Sequence, residues 1–163
     1  MIHWRLLTKV IGFSIPVPGN VVVVIPQLLA RWRNHPYLPL NRFQARRFGL
    51  LSIGAGVSFY AHTALEYATE GKGTPSPTHE PEDLVTSGVY AYSRNPMYIG
   101  ALLIITGQGL LQRSLVLLWW AVGCWIGFHN RVLKYEDPHL LEKHGKEFDR
   151  YRATVPRWLS LLK

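Results

Sequence analysis

The chain alternates long apolar runs with short polar interruptions, and the runs set the fold. Residues 10–30, 48–65, 95–112 and 114–130 contain no Asp, Glu, Lys or Arg. A helix that crosses a bilayer needs about 20 mostly apolar residues, within a range of about 17–25, and the four runs fall at or near that length. A helix in a soluble core usually keeps a polar face with a period of about 3.6 residues. Residues 99–111 and 115–128 show almost no such face. The pattern predicts an all-α polytopic membrane protein with about four transmembrane helices, forming a single domain over residues 1–163.

Turn and breaker residues divide the runs. The first helix is expected over residues 10–30, kinked or interrupted at Pro16, Pro18 and Gly19, and closed at an interface by Arg31, Trp32 and Arg33. The second is expected over residues 48–67, where Ser52 and Gly56 allow another helix to approach closely. A long polar segment, residues 70–95, follows; connections of that length tend to be functional. Asn95 and Pro96 read as the cap and first residue of a third helix ending near Leu111. Gln112, Arg113 and Ser114 leave room only for a tight turn, so a fourth helix over residues 115–132 folds back as a hairpin. Gly123 and Gly127 give that helix a small-residue face whose expected use is packing. Beyond Lys134, Asp137 and Pro138 read as the start of one amphipathic helix, with Leu140, His144, Phe148 and Tyr151 on its apolar face. It is expected to lie on the membrane or on the 70–95 segment.

Charge modifies this picture in two ways. The net charge is +8, but the basic residues flank apolar runs and do not line one polar face, which points to anionic membrane lipids and not to nucleic acid. With four spans, Arg5, Lys9, Lys72, Arg94 and every basic residue from Arg131 onward share one side. Arg31, Arg33, Arg42, Arg46, Arg47 and Arg113 share the other. The larger group marks the cytoplasmic side, and the arginines between the first two helices oppose that assignment. The single cysteine, Cys124, permits neither an intrachain disulfide nor a cysteine-based zinc site. The N-terminal run lacks a small-residue cleavage site and is read as a retained helix.

The hairpin joins two polar clusters that lie far apart in sequence. One runs from Gly88 through Tyr90, Arg94, Asn95, Pro96 and Tyr98 to Gly100. The other comprises His129, Arg131, Glu136, Asp137, Pro138 and the Val155-Pro156-Arg157-Trp158 ending. The start of the third helix and the end of the fourth are neighbours, so Arg94 and Tyr98 are expected near His129 and Glu136. Taken alone, Arg94 can equally anchor a helix at the interface, and Glu136 can simply balance Arg131 or Lys134. His62 reads as a packed polar residue. Gly71-Lys72-Gly73-Thr74 lacks the full spacing of a phosphate loop, and no dinucleotide fingerprint occurs.

The same residues, in this order, carry a family resemblance. Arg94-Asn95-Pro96-Met97-Tyr98 with Gly100 resembles the RHPxYxG-type motif of isoprenylcysteine carboxyl methyltransferases and related phospholipid methyltransferases. Glu136-Asp137-Pro138-His139-Leu140, Gly145, Tyr151 and Val155-Pro156-Arg157-Trp158 resemble the EEPxL…FGxxYxxYxxxVPRW ending of that family. Gly71-Lys72-Gly73-Thr74-Pro75-Ser76-Pro77 resembles a GxGTPxP loop of bacterial members. The resemblance spans residues 71–158. Asn95 stands where the eukaryotic motif has His, Asp137 replaces the second Glu, His144 the Phe and Phe148 the first Tyr.

The resemblance implies S-adenosylmethionine as cofactor, no metal, a lipid-like or small apolar methyl acceptor, and a bacterial inner-membrane enzyme, whose active site and C-terminus the charge count places toward the cytoplasm. It implies a site made of Tyr90, Arg94, Asn95, Pro96, Tyr98, Gly100, His129, Glu136, Asp137, Leu140 and Tyr151, with Arg94 and Glu136 at its centre. In that setting Arg94 would pair with the cofactor carboxylate in two hydrogen bonds. Glu136 would accept from ribose hydroxyls or the amine, and Tyr90, Tyr98 and His129 would meet the adenine or the cation. Two other classes fit the same architecture: a membrane reductase of the steroid-reductase kind using NADPH, and a non-catalytic membrane sensor or assembly protein.

Overall fold

A computed structural model describes residues 19–31, 37–69 and 83–159. The first half of the predicted first helix, the Trp32–Arg33 closure and the Gly71–Pro77 loop lie outside the described residues. Within them the chain is helical, and the β-type pairing consists of one isolated bridge between Tyr37 and Ser114.

Helix α1 begins as a π-helical turn, Asn20–Val24, and continues as α-helix over Ile25–Ala30. Pro26 has no N–H, so the carbonyls one turn back, Val21 at π spacing and Val22 at α spacing, need partners elsewhere. The hairpin supplies both. Gln108 Nε2 donates to Val22 O at 2.7 Å, and Trp120 Nε1 donates to Val21 O at 3.0 Å. Around these bonds Val22, Ala101, Ile105, Ala121 and Cys124 form one core.

Helix α2, Arg42–Thr69, starts six residues before the predicted boundary and takes in Arg42, Arg46 and Arg47. Asn41 explains the early start: its Oδ1 accepts from Gln44 N at 2.8 Å, satisfying one of the donors a helix leaves unpaired at its N-terminus. Helix α3, Pro96–Leu111, packs antiparallel against α2. The contact runs over paired glycines. A Cβ at Gly56 would sit 2.6 Å from Gly100 O, and one at Gly107 would sit 2.7 Å from Gly49 O. Ser52 Oγ donates to Leu103 O at 2.8 Å between them, so the expected role of Ser52 and Gly56 holds.

Helix α4, Leu115–Arg131, completes the predicted hairpin. Its turn is held by Arg113 at φ 53° and by Ser114, whose Oγ accepts from Leu117 N at 3.5 Å. Gly123 and Gly127, however, pack against nothing among the described residues. No described atom outside the helix lies within 4 Å of a Cβ at either position.

Of the described helices, one is long and apolar enough to cross a membrane: residues Arg42–Tyr67 of α2, with a mean hydropathy of 1.3. Helices α1 and α3 are apolar but shorter. The outer faces of α2 and α4 expose Phe48, Leu50, Leu51, Val57, Trp119, Val122, Trp125 and Ile126. So many exposed large apolar side chains on two helices is what a lipid-facing surface requires.

Candidate active site

Helix α4 does not stop at its predicted end. It passes through a second π turn, Val132–Glu136, into helix α5, Asp137–His144, with helical φ and ψ at both junctions. Asp137 was expected to open a new helix with its carboxylate as cap. Instead its N–H bonds to Val132 O inside the run, and its side chain is used elsewhere. The expected single amphipathic helix is also two. Gly145, at φ 53°, ends α5, and helix α6 spans Lys146–Thr154. The left-handed conformation is open to glycine without steric penalty. The bend folds Phe148 and Tyr151 back onto Val85, Tyr90 and Val155, with Leu140 against the cluster. The tail therefore packs on the second half of the 70–95 segment, as one of the two expectations had it.

Two acid–base contacts tie the clusters together. Tyr98 at the start of α3 donates its hydroxyl to Glu136 Oε1, and Arg131 Nε reaches the same oxygen at 2.8 Å. The π turn explains the second bond, because it brings residues five apart onto one face. The other contact is a three-member cluster. Arg94 Nη1 lies 2.6 Å from Asp137 Oδ1, and Arg157 Nε lies 2.8 Å from Asp137 Oδ2. Arg94 Nε also donates to Val155 O at 3.1 Å. The Arg94 side chain is 8% exposed and that of Arg157 is 40%. Burial pushes the Arg94 guanidinium down from its ordinary value, the charge of Asp137 pulls it back, and Arg157 adds to the lowering.

Asn95 occupies the cap position of α3 without capping it. Its Nδ2 donates to Arg157 O at 3.0 Å, and Ser93 Oγ donates to the same carbonyl at 3.1 Å. Arg94 N bonds to Pro156 O. The Ser93–Asn95 segment thus serves as a backbone clamp for the Val155–Trp158 ending, and this tertiary use outweighs the local cap. Pro96 is fully buried at the first turn. Gly100 faces Gly56 and belongs to the α2–α3 contact, away from the polar cluster. His129 stacks on Trp125 and Trp158, and its Nδ1 accepts from Trp158 Nε1 at 3.3 Å. Tyr98 stacks on Phe128 with ring centres 4.5 Å apart.

Tyr90 is buried in the Gly88–Ala91 turn, against Tyr67 edge-on at 5.5 Å, and its carbonyl accepts from Tyr151 OH at 2.8 Å. It belongs to the support of the site. The turn is locked by Glu66 at the end of α2, whose Oε1 accepts from Val89 N at 3.0 Å. Gly88, at φ 54°, has no room for a Cβ beside that carboxylate. Burial raises the Tyr90 hydroxyl well above its usual 10.0, with Tyr67 adding to the effect, and burial likewise raises Tyr151. A raised tyrosine pKa means that the folded state holds its proton more tightly than the unfolded chain. The stabilisation is complete below the unfolded value near 10 and is lost as pH rises toward the folded value. We expect the thermal unfolding midpoint to fall steeply above about pH 10, and a Tyr90→Phe, Tyr151→Phe double variant to flatten that fall. A dependence unchanged in the double variant would place its cause elsewhere.

Of the predicted site residues, the structure gathers Arg94, Asn95, Pro96, Tyr98, Glu136 and Asp137 at one end of the hairpin. His129 lies in an adjoining aromatic group. Tyr90, Leu140 and Tyr151 form the packed floor, and Gly100 lies apart. Arg131, Arg157 and Trp158, members of the second polar cluster but not of the expected site set, make direct contacts here, as does Glu66, which the sequence does not single out. Arg157 and Trp158 had a visible signal, since they stand in the same motif as Val155 and Pro156.

The structure thus brings together an Arg-Asn-Pro helix start, a Glu-Asp-Pro helix and a Val-Pro-Arg-Trp ending, the segments whose order resembles that of a methyltransferase class. Residues 45–147, more than half of the chain, match the phospholipid methyltransferase family, and the chain belongs to it. It is 34% identical over 80 residues to the protein-S-isoprenylcysteine O-methyltransferase of Schizosaccharomyces pombe, covering 48% of this chain and 34% of that protein. It is 35% identical over 81 residues to the enzyme of the same name from Xenopus laevis, covering 49% of this chain and 28% of the relative. The nickel-cobalt-cadmium resistance protein NccN of Alcaligenes xylosoxydans xylosoxydans is 31% identical over 80 residues, 49% of this chain and 37% of NccN. The chain thus spans about a third of the length of these relatives.

Proposed function

We propose that this protein transfers a methyl group from S-adenosylmethionine to a lipid-like acceptor at the membrane face where α3 begins and α4 ends. The observation that carries the reading is the joining of the two motif halves through Tyr98–Glu136 and Arg94–Asp137. The bound cofactor would supply an electrophilic methyl group on a sulfonium, along with a carboxylate, an amine and ribose hydroxyls to be held.

The donor set suits those groups. Two guanidiniums face one carboxylate in the Arg94–Asp137–Arg157 cluster, leaving net positive charge beside the N-terminus of α3, where the helix dipole adds to it. In this reading Arg94, expected to pair with the cofactor carboxylate, is placed instead in support of the site, because its Nε and Nη1 bond to Val155 O and Asp137 Oδ1. It acts as a positioning residue, and the more exposed Arg157 is the better partner for a ligand carboxylate. Glu136 already accepts from Tyr98 and Arg131 on Oε1, which leaves Oε2 to accept from a ligand hydroxyl or ammonium. Methyl transfer by in-line displacement needs alignment more than proton chemistry, and the clamp of Ser93–Asn95 on the C-terminal ending supplies rigidity for it. The apolar outer faces of α2 and α4 suit an acceptor arriving from the bilayer. In this reading three further helices cross the membrane beside α2, and the site faces the cytoplasm of a bacterial inner membrane.

The test is ligand-dependent stability in detergent. S-adenosylhomocysteine at a large excess over its dissociation constant should stabilise the protein by about 2–4 kcal/mol, and NADPH should not. Glu136→Ala and Arg157→Ala should each weaken S-adenosylhomocysteine binding by about 10- to 100-fold, the range expected for a lost charge-assisted hydrogen bond. The reading fails if NADPH alone stabilises, or if both variants bind like the wild type.

A further inference from the structure

We propose that the end of the molecule away from the site is a docking surface for anionic phospholipid headgroups, built from Arg42, Arg46, Arg47 and Arg113. This rests on the membrane-spanning part of the proposed function and is independent of the chemistry at the site.

Charge is divided between the two ends of the helices. All ten acidic residues fall between Glu66 and Asp149, and none occurs before Glu66 or between Asp83 and Glu136. Helix α2 carries Glu66 at its site end and Arg42, Arg46 and Arg47 at the other. The α3–α4 turn joins the arginine end. Leu38 N bonds to Arg113 O at 2.7 Å, and the Arg113 guanidinium donates to Leu38 O at 3.3 Å. At 1.5 Å per residue, the 28 residues of α2 measure about 42 Å, close to a bilayer with its headgroup regions. The arginines then sit at headgroup depth on one side while the site sits at the other.

The arrangement opposes its own stability unless anions come from outside. Arg42 and Arg46 are like charges four apart on one helix, which repel. They occupy the first turns of α2, where the helix dipole is already positive and the first turn holds no acid. Arg42, Arg46 and Arg47 are exposed, and among the described residues no carboxylate pairs with them. The site end differs, because its lysines and arginines alternate with Glu142, Glu147 and Asp149, as in the 2.6 Å Arg152–Asp149 pair. Phe43 and Tyr37, 74% and 63% exposed, flank the arginines. Aromatic side chains beside cations are the composition of a membrane-interface anchor. Lipid phosphate supplies the missing counter-charge, and each arginine near an anionic surface gains from it.

The experiment uses the full chain in nanodiscs of phosphatidylcholine, with and without phosphatidylglycerol. Phosphatidylglycerol should raise the wild-type unfolding midpoint by about 5 °C, an effect reduced by high salt. The Arg42→Gln, Arg46→Gln, Arg47→Gln variant should lose most of that rise. Its midpoint in phosphatidylcholine should stay unchanged or increase, which also shows that it folds. Lys143→Gln with Lys146→Gln should keep the rise. A triple variant retaining the full shift, or a wild type showing none, overturns the proposal. A chain that stays in the aqueous phase without lipid or detergent overturns it together with the membrane reading. If S-adenosylhomocysteine fails to stabilise the protein in the same discs while the shift follows the arginines, the enzymatic reading falls and this one stands.

Discussion

Asp137→Ala is expected to be the most destabilising single substitution at the site, costing about 3–5 kcal/mol, the range for removing one partner of a buried ion pair. Asp137 is the only acid of its cluster and stands between Arg94 and Arg157. Without it the buried Arg94 guanidinium faces a second cation with nothing between them. The clamp joining the start of α3 to the C-terminal ending would lose its centre, so binding of S-adenosylhomocysteine should fall below detection. Asp137→Asn keeps an acceptor of the same shape and should fall between wild type and Ala in stability. Thermal unfolding in detergent, monitored by circular dichroism, gives the ordering. An Ala variant within about 1 kcal/mol of wild type would show that the two arginines are solvated well enough to stand alone.

Gly56→Leu is expected to cost about 3 kcal/mol by forcing α2 and α3 apart. A Cβ there meets Gly100 O at 2.6 Å and Ile104 N at 2.9 Å. Both obstacles are backbone, so no rotamer change relieves the overlap. Displacing α3 also displaces Tyr98 and Arg94, and activity should fall with stability. Gly54→Leu on the same helix is the control, since no described atom outside the helix lies within 4 Å of a Cβ there. Equal effects at the two positions would mean that the helix contact contributes little and that the loss reflects glycine replacement alone.

The contrast between these glycines shows what the sequence could and could not reveal. The hairpin was legible because Gln112–Ser114 leaves no other route between two apolar runs. The meeting of Tyr98 with Glu136 followed directly from it. The Gly123–Gly127 spacing predicted packing that the described residues do not show, while the real contact uses Gly49 and Gly56 against Gly100 and Gly107. Gly56 was legible as a close-approach residue within its own helix, but its pairing with Gly100, and that of Gly49 with Gly107, emerges only when two segments are compared, because the pairs repeat two turns apart on both helices. The caps failed for a related reason. Asn95 and Asp137 have the right local chemistry for helix starts, yet each finds a stronger partner contributed by Arg157. Local preference cannot weigh a partner that arrives from twenty or sixty residues away. Gly145 was readable as a helix stop, but the apolar spacing through His144 and Phe148 masked it.

The π turn at Val132–Glu136 has one more consequence. One residue more than an α-helical turn holds advances the phase of everything downstream by about 100°. Upstream of it, the helix turns Trp119, Trp125 and Ile126 outward; downstream, the same continuous rod aims Asp137 inward at two arginines. A single helix therefore serves an oily exterior and a charged interior in succession, and the switch between them is made by rotation alone, without the loop that a change of surface would otherwise need.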